Sequence, residues 1–107
     1  MKLTTAQIIE AASAIEEIMG DSLPVALSFT LCQNYMKLDE KRKAALMTVQ
    51  TIPIRDGKPE DGPFEELLST PVDIDIEPIS QKALMNSVTT ITPRCLLSLM
   101  PLFKEGD

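Results

Sequence analysis

Between Thr4 and Met19 the apolar residues Ile8, Ala11, Ala12, Ile15, Ile18 and Met19 recur at steps of three and four, the period that gathers side chains on one face of an α-helix. Both ends of this stretch carry helix signals. Thr4 and Gln7 have capping-box spacing, in which the hydroxyl and the amide each satisfy a loose backbone N–H, and Gly20 suits the left-handed position that closes a helix. Asp21-Ser22 then makes a tight connection into a longer apolar stretch. Val25, Leu27, Phe29 and Leu31 alternate as in a strand, but Leu27, Leu31, Tyr35 and Leu38, followed by Ala45, Leu46 and Val49, hold helical register for much longer. Asp39 and Lys43 add a favourable four-residue charge pair. Proline is tolerated in a first turn, so the pattern predicts a helix from Pro24 to Gln50, roughly 40 Å long at 1.5 Å per residue. After so short a turn it should fold back on the first helix as an antiparallel hairpin.

The run "PIRDGKPEDGP", with three prolines and two glycines, breaks regular structure and predicts an exposed loop over about 52–63. Within it Asp56-Gly57 can turn a short hairpin with Ile52 and Ile54 on one arm. "PFEELLS" reads as a one- or two-turn helix with Pro63 in the first turn, and "VDIDIE" at 72–77 as a strand that Pro78 ends or keeps at a sheet edge. Ser80 can cap a helix through about Asn86, with a weak finish in Ser-Val-Thr-Thr. Thr92 as cap, Pro93 in the first turn and Leu96, Leu97, Leu99 and Met100 behind them predict a last apolar helix that Pro101 interrupts. The expected fold is one α+β domain over 1–107: mostly helical, an antiparallel helical hairpin with a small β element and a short C-terminal helix.

The strand segment holds the one cluster of candidate chemistry. Successive side chains of a strand point to opposite faces, so Asp73, Asp75 and Glu77 share one side with neighbours about 6.5–7 Å apart. Two such carboxylates can hold Mg²⁺, which keeps several waters and also binds substrate phosphate. Alternatively Val72, Ile74 and Ile76 cover the helices while the acids face water, as in a half-buried antiparallel strand. The second reading is the expectation, because phosphate chemistry also wants a glycine-rich loop, a nearby base or acids from another element, and none is recognisable. The chain has no histidine, which removes the commonest general base and the commonest transition-metal ligand. No Ser-x-x-Lys spacing offers another way to activate a hydroxyl. The expectation is therefore no enzyme, no catalytic or cofactor-binding residue and no cofactor, with Asp73, Asp75 and Glu77 as the metal candidates.

Sixteen acids against ten bases give a formal charge of −6, which disfavours nucleic-acid phosphates and anionic lipid as partners and suits a protein partner. The basic run Lys41-Arg42-Lys43 follows Asp39-Glu40 and reads as a solvated helix face. Cys32 and Cys95 lie in apolar surroundings, and no signal peptide or membrane span is readable, so free, buried thiols in a bacterial cytoplasm are expected. With only three phenylalanines and one tyrosine, Met19, Met36, Met47, Met85 and Met100 are expected to help fill the core.

Read end to end, "KLTTAQIIEAASAI", "LPVALSFTLCQNYMKLDEK", "FEELLSTPVDIDIEPIS" and "ITPRCLLSLMPLF" resemble a family of small proteins of unknown function encoded by phages and prophages of Gram-positive bacteria. The likeness spans nearly the whole chain apart from the 52–63 loop, which is shorter and richer in proline than in that family. It implies a phage or prophage origin and action in the host cytoplasm or within a virion, and it carries no catalytic residues. The function expected is that of a non-enzymatic accessory protein that binds another protein, of host or phage or itself. The alternatives are a head, neck or tail assembly component and a Mg²⁺-dependent enzyme using Asp73 and Asp75.

Overall fold

The computed structural model describes residues 1–88 and 90–104. Helix α1 (Thr5–Ile18) forms the middle of the molecule, with α2 (Val25–Val49) packed along one side and α5 (Pro93–Leu99) along another. Its composition permits this. Ala11, Ala12 and Ala14 are all buried, so neighbours on two sides can approach the backbone closely, and Ile8, Ile15 and Ile18 fill the space between them. The Thr4/Gln7 capping box forms as expected, with Gln7 N–H to Thr4 Oγ1 at 3.2 Å and Thr4 N–H to Gln7 Oε1 at 2.9 Å. Gly20 does not take the left-handed conformation foreseen for it. The helix closes on Met19 in ordinary right-handed geometry, with the Met19 N–H bonded to the Glu16 carbonyl, and Gly57 is the only glycine with positive φ among the described residues.

Helix α2 follows Pro24, which acts as its cap, and runs antiparallel to α1. At 25 residues against 14 it is about 38 Å long against about 21 Å, so its C-terminal end overhangs its partner. The overhang gives the molecule a long axis of 46 Å and a radius of gyration of 15.2 Å, above the ~13 Å usual for a chain of this length. Within the expected loop the short hairpin at Asp56-Gly57 forms, with β2 (Ile54–Arg55) and β3 (Lys58–Pro59) paired around it. Both turn residues have positive φ, 53° and 78°, as a two-residue hairpin of matching twist requires. Ile54 on this arm is exposed while Ile52 is buried. Helix α3 (Asp61–Ser69), with Pro63 in its first turn, rests on the hairpin of helices with only Phe64, Leu67 and Leu68 half-buried.

The chain then enters β4 (Pro71–Asp73), which pairs antiparallel with β1 (Lys2–Thr4), a strand too short to announce itself as an alternation. Ladder pairing stops four residues before the predicted end at Glu77. In this register Thr4, which caps α1, faces Pro71, and towards Glu77 the last bond runs from the Ile74 N–H to the Met1 carbonyl at 2.9 Å. Beyond it the chain stays on the core. Helix α4 (Gln81–Ser87) is capped by Ser80, whose Oγ accepts from Ala83 N–H, and α5 by Thr92, which accepts from Cys95 N–H; Pro93 stands at the start. Thr89, part of the expected weak finish of α4, lies outside the described residues, as do residues 105–107. A 3₁₀ turn at Met100–Leu102 carries the chain back to Ile79, where the Ile79 N–H meets the Leu102 carbonyl and the Lys104 N–H meets the Ile79 carbonyl, both at 2.8 Å. The chain is thus α+β, with a long helical hairpin, small two-stranded sheets and a short C-terminal helix. No helix of the described residues is long and apolar enough to cross a membrane.

Candidate functional site

The acidic segment keeps its alternation although it loses its ladder. Ile74 and Ile76 are buried in the core, and Asp73, Asp75 and Glu77 point away from it. The Asp75 side chain is 99% exposed, with Lys37 Nζ at 3.6 Å, and Asp73 is 80% exposed. Among the described residues no group of three or more His, Cys, Asp or Glu side chains converges so as to hold a metal ion.

What replaces the missing partner strand is α2. Asn34, fully buried, donates from Nδ2 to the Glu77 carbonyl at 2.9 Å and accepts the Glu77 N–H on Oδ1 at 3.0 Å, so its amide imitates a strand residue. Lys37, one turn on, donates to the Asp75 carbonyl at 2.8 Å. These bonds tie 75–77 to the helix and leave the acids on the solvent side. Sequence reasoning passed over Asn34 because an asparagine within a helical run looks like any polar position.

The basic run is also resolved differently from its expected solvated face. Lys41 and Lys43 are exposed, but Arg42 is turned into the α1/α2 seam, where it reaches Glu16 and Asp39 at 2.7 Å each and donates to the Tyr35 hydroxyl at 3.2 Å. The Tyr35 hydroxyl donates to Glu16 at 2.8 Å. The Tyr35 and Arg42 bonds hold the Glu16 carboxyl below its ordinary range, and Arg42 and Lys43 do the same for Asp39. Hydrogen bonding to Glu16 pushes the Tyr35 hydroxyl up. Burial alone would lower the Arg42 guanidinium, but its bonds to Asp39, Glu16 and Tyr35 outweigh this and hold its proton more firmly. The Asp39–Lys43 pair is present at 3.1 Å. The cluster is a clasp between the two long helices.

The cysteines divide. Cys95 is buried, with Sγ 3.4 Å from the Ala14 carbonyl, and burial first, then Glu17, pushes its thiol up to about 11. Cys32 is exposed, against expectation, and both thiols are free. The methionine expectation is overturned more broadly. Met19, Met36, Met47, Met85 and Met100 all lie exposed, as do Leu46, Leu97 and Phe29, and the interior is filled by Ile, Leu and Ala instead.

These exposures are not scattered on α2. Its buried residues Leu27, Leu31, Asn34, Leu38 and Ala45 share one face. At 100° per residue, Val25, Phe29, Cys32 and Met36 fall within about 60° of one another on nearly the opposite face. Val25 is 86% exposed, Phe29 64% and Met36 72%. Helix α2 is therefore apolar on two sides, one facing the core and the other facing solvent. The strand-like alternation of Val25, Leu27, Phe29 and Leu31 has the same origin, since residues 25 and 29 serve the outer face and 27 and 31 the inner. Beside Cys32 the outer stripe opens into a mainly apolar groove of about 60 Å³ between the end of α1 and the start of α2, lined by Ile15, Met19, Leu23 and Leu31 and also by Asp21 and Ser28. A larger concavity, about 680 Å³, lies at the β2/β3 hairpin and the first turn of α3, among Arg55, Lys58, Glu60 and Asp61 with their opposed charges.

No family model matches the chain, and no curated protein or solved structure is significantly similar to it.

Proposed function

We propose that this chain is a non-enzymatic accessory protein, of the phage or prophage kind its sequence resembles, that works by binding another protein through the outer face of α2. One observation carries the reading: a contiguous stripe of Val25, Phe29, Cys32 and Met36 stands in solvent on a helix whose other face already fills the core. Leaving large apolar side chains together in water forgoes roughly 25 cal/mol for each Å² they could bury, and contiguous patches of this kind mark interaction sites far more often than single exposed residues do. Methionine and phenylalanine are also the side chains that interfaces favour, the first for its adaptability and the second for its buried area. The hydroxyls of Thr4, Ser80 and Thr92 serve as helix caps, and those of Thr30, Thr48 and Ser87 bond carbonyls of their own helices, so they hold structure.

The experiment is a comparison of captured proteins. Tagged wild-type chain and the Phe29→Glu variant are each used as bait, in a lysate of the host bacterium and against the wild-type chain itself. A protein retained by the wild type and lost with the variant supports the reading. Retention unchanged by Phe29→Glu, or no retention at all, refutes it. Recovery of particle proteins as the Phe29-dependent partner would move the role from the cytoplasm to virion assembly.

A further inference from the structure

Resting on that protein-binding reading, we infer that the occupant of the α2 stripe is a second copy of this chain, the two α2 helices lying antiparallel about a twofold axis between residues 30 and 31. The stripe is self-complementary in spacing. Val25, Phe29, Cys32 and Met36 are separated by four, three and four residues, intervals that read the same in both directions, and a twofold contact requires one surface to match its own reverse. Steps of three and four are also those of a coiled-coil seam, which brings helices within about 8–10 Å at a crossing near 20°.

The sizes match as well as the spacing. The antiparallel register sets Phe29 against the partner's Cys32 and Met36 against the partner's Val25, a larger side chain over a smaller one in every layer. The ring of Phe29 then reaches the apolar groove of about 60 Å³ that opens beside the partner's Cys32. A parallel pair would instead stack Phe29 on its own copy and Cys32 on its own copy, leaving those grooves unfilled.

Charge permits the approach at this place. Residues 25–36 contain no Asp, Glu, Lys or Arg, so two molecules of formal charge −6 can meet there without opposing like charges. The four side chains make a contact smaller than a standard stable interface, so the pairing should be weak and concentration-dependent.

Sedimentation velocity on the full chain tests this. Between about 1 and about 500 μM the wild type should pass from the 11.8 kDa monomer to twice that mass. Phe29→Glu should weaken the association at least tenfold while leaving the circular dichroism unchanged, because Phe29 is not part of the core. Met36→Glu serves as the independent second variant. For orientation, Val25→Cys and Met36→Cys are made separately in a Cys32→Ser background and mixed under an oxidant. Disulfides joining 25 to 36 support the antiparallel register, whereas 25-to-25 and 36-to-36 products overturn it. A dimer indifferent to both glutamates, or a monomer throughout, also overturns it. If the monomeric wild type still retains another protein in a Phe29-dependent way, only self-pairing falls; if it retains none, the protein-binding reading falls too.

Discussion

Replacing Asn34 should destabilise the protein out of proportion to the size of the side chain. Asn34 is buried and holds both backbone polar groups of Glu77, at 2.9 and 3.0 Å. Asn34→Ala removes two hydrogen bonds worth about 1 kcal/mol net each, and leaves the Glu77 N–H and carbonyl with at best poor substitutes, roughly another 1–2 kcal/mol. Glu77 itself is exposed, so water reaches its backbone in part and keeps the cost below that of two fully buried orphans. The expected loss is about 2–4 kcal/mol, or roughly 10–25 °C in Tm for a domain of this size. Urea unfolding followed at 222 nm measures it, and amide exchange of Glu77 should quicken at the same time. Asn34→Asp sharpens the test. An ionised carboxylate can still accept the Glu77 N–H, but its second oxygen faces a carbonyl, while a protonated carboxyl restores the donor. The introduced group is therefore driven above its ordinary value of about 3.9 in the folded state. Stability tied to such a raised group is present at low pH and lost as pH rises through the folded value. The deficit of Asn34→Asp relative to wild type should shrink between pH 7 and pH 4. A loss under about 0.5 kcal/mol for Asn34→Ala, or a pH-independent deficit for Asn34→Asp, would show that α2 does not anchor the acidic segment as described.

Three further outcomes are expected. In the native protein a thiol reagent should label Cys32 rapidly and Cys95 only on unfolding, so that one thiol of two reacts; since burial raises Cys95 from 9.0 to about 11, it also contributes stability that is lost between those pH values as pH rises, and rapid labelling of both would contradict its burial. Glu16 and Asp39 are held below their ordinary 4.5 and 3.8, so their contribution is complete above those values and is lost as pH falls through the lowered ones; Arg42→Met should flatten this acid limb of the stability profile, and an unchanged limb would mean that the clasp does not hold. Gly57→Ala places a side chain at φ +78° with open space around it, so it should cost only the conformational penalty of about 1 kcal/mol, and a neutral result by thermal melting would remove the argument for that turn.

Local signals set the elements of this chain, and they are legible because the relevant atoms are close in sequence. The Thr4/Gln7 box, Ser80, Thr92-Pro93 and Asp56-Gly57 each act over two to four residues, and each does in the structure what its spacing says. The inward direction of Ile74 and Ile76 likewise follows from a period of two. Everything that depends on a neighbour far along the chain was decided by tertiary packing. The strand at 72–77 was cut to three residues because its partner is short, and Asn34 and Lys37, some forty positions earlier, took over its backbone bonds. Arg42 left solvent because Glu16 faced it across the seam, with Tyr35 two turns earlier on the same helix beside it. Five methionines went to the surface, and isoleucine, leucine and alanine fill the core in their place. Apolarity in a sequence says that a side chain gains by leaving water. It does not say whether this chain's own core has room for it, and on the outer face of α2 it has none.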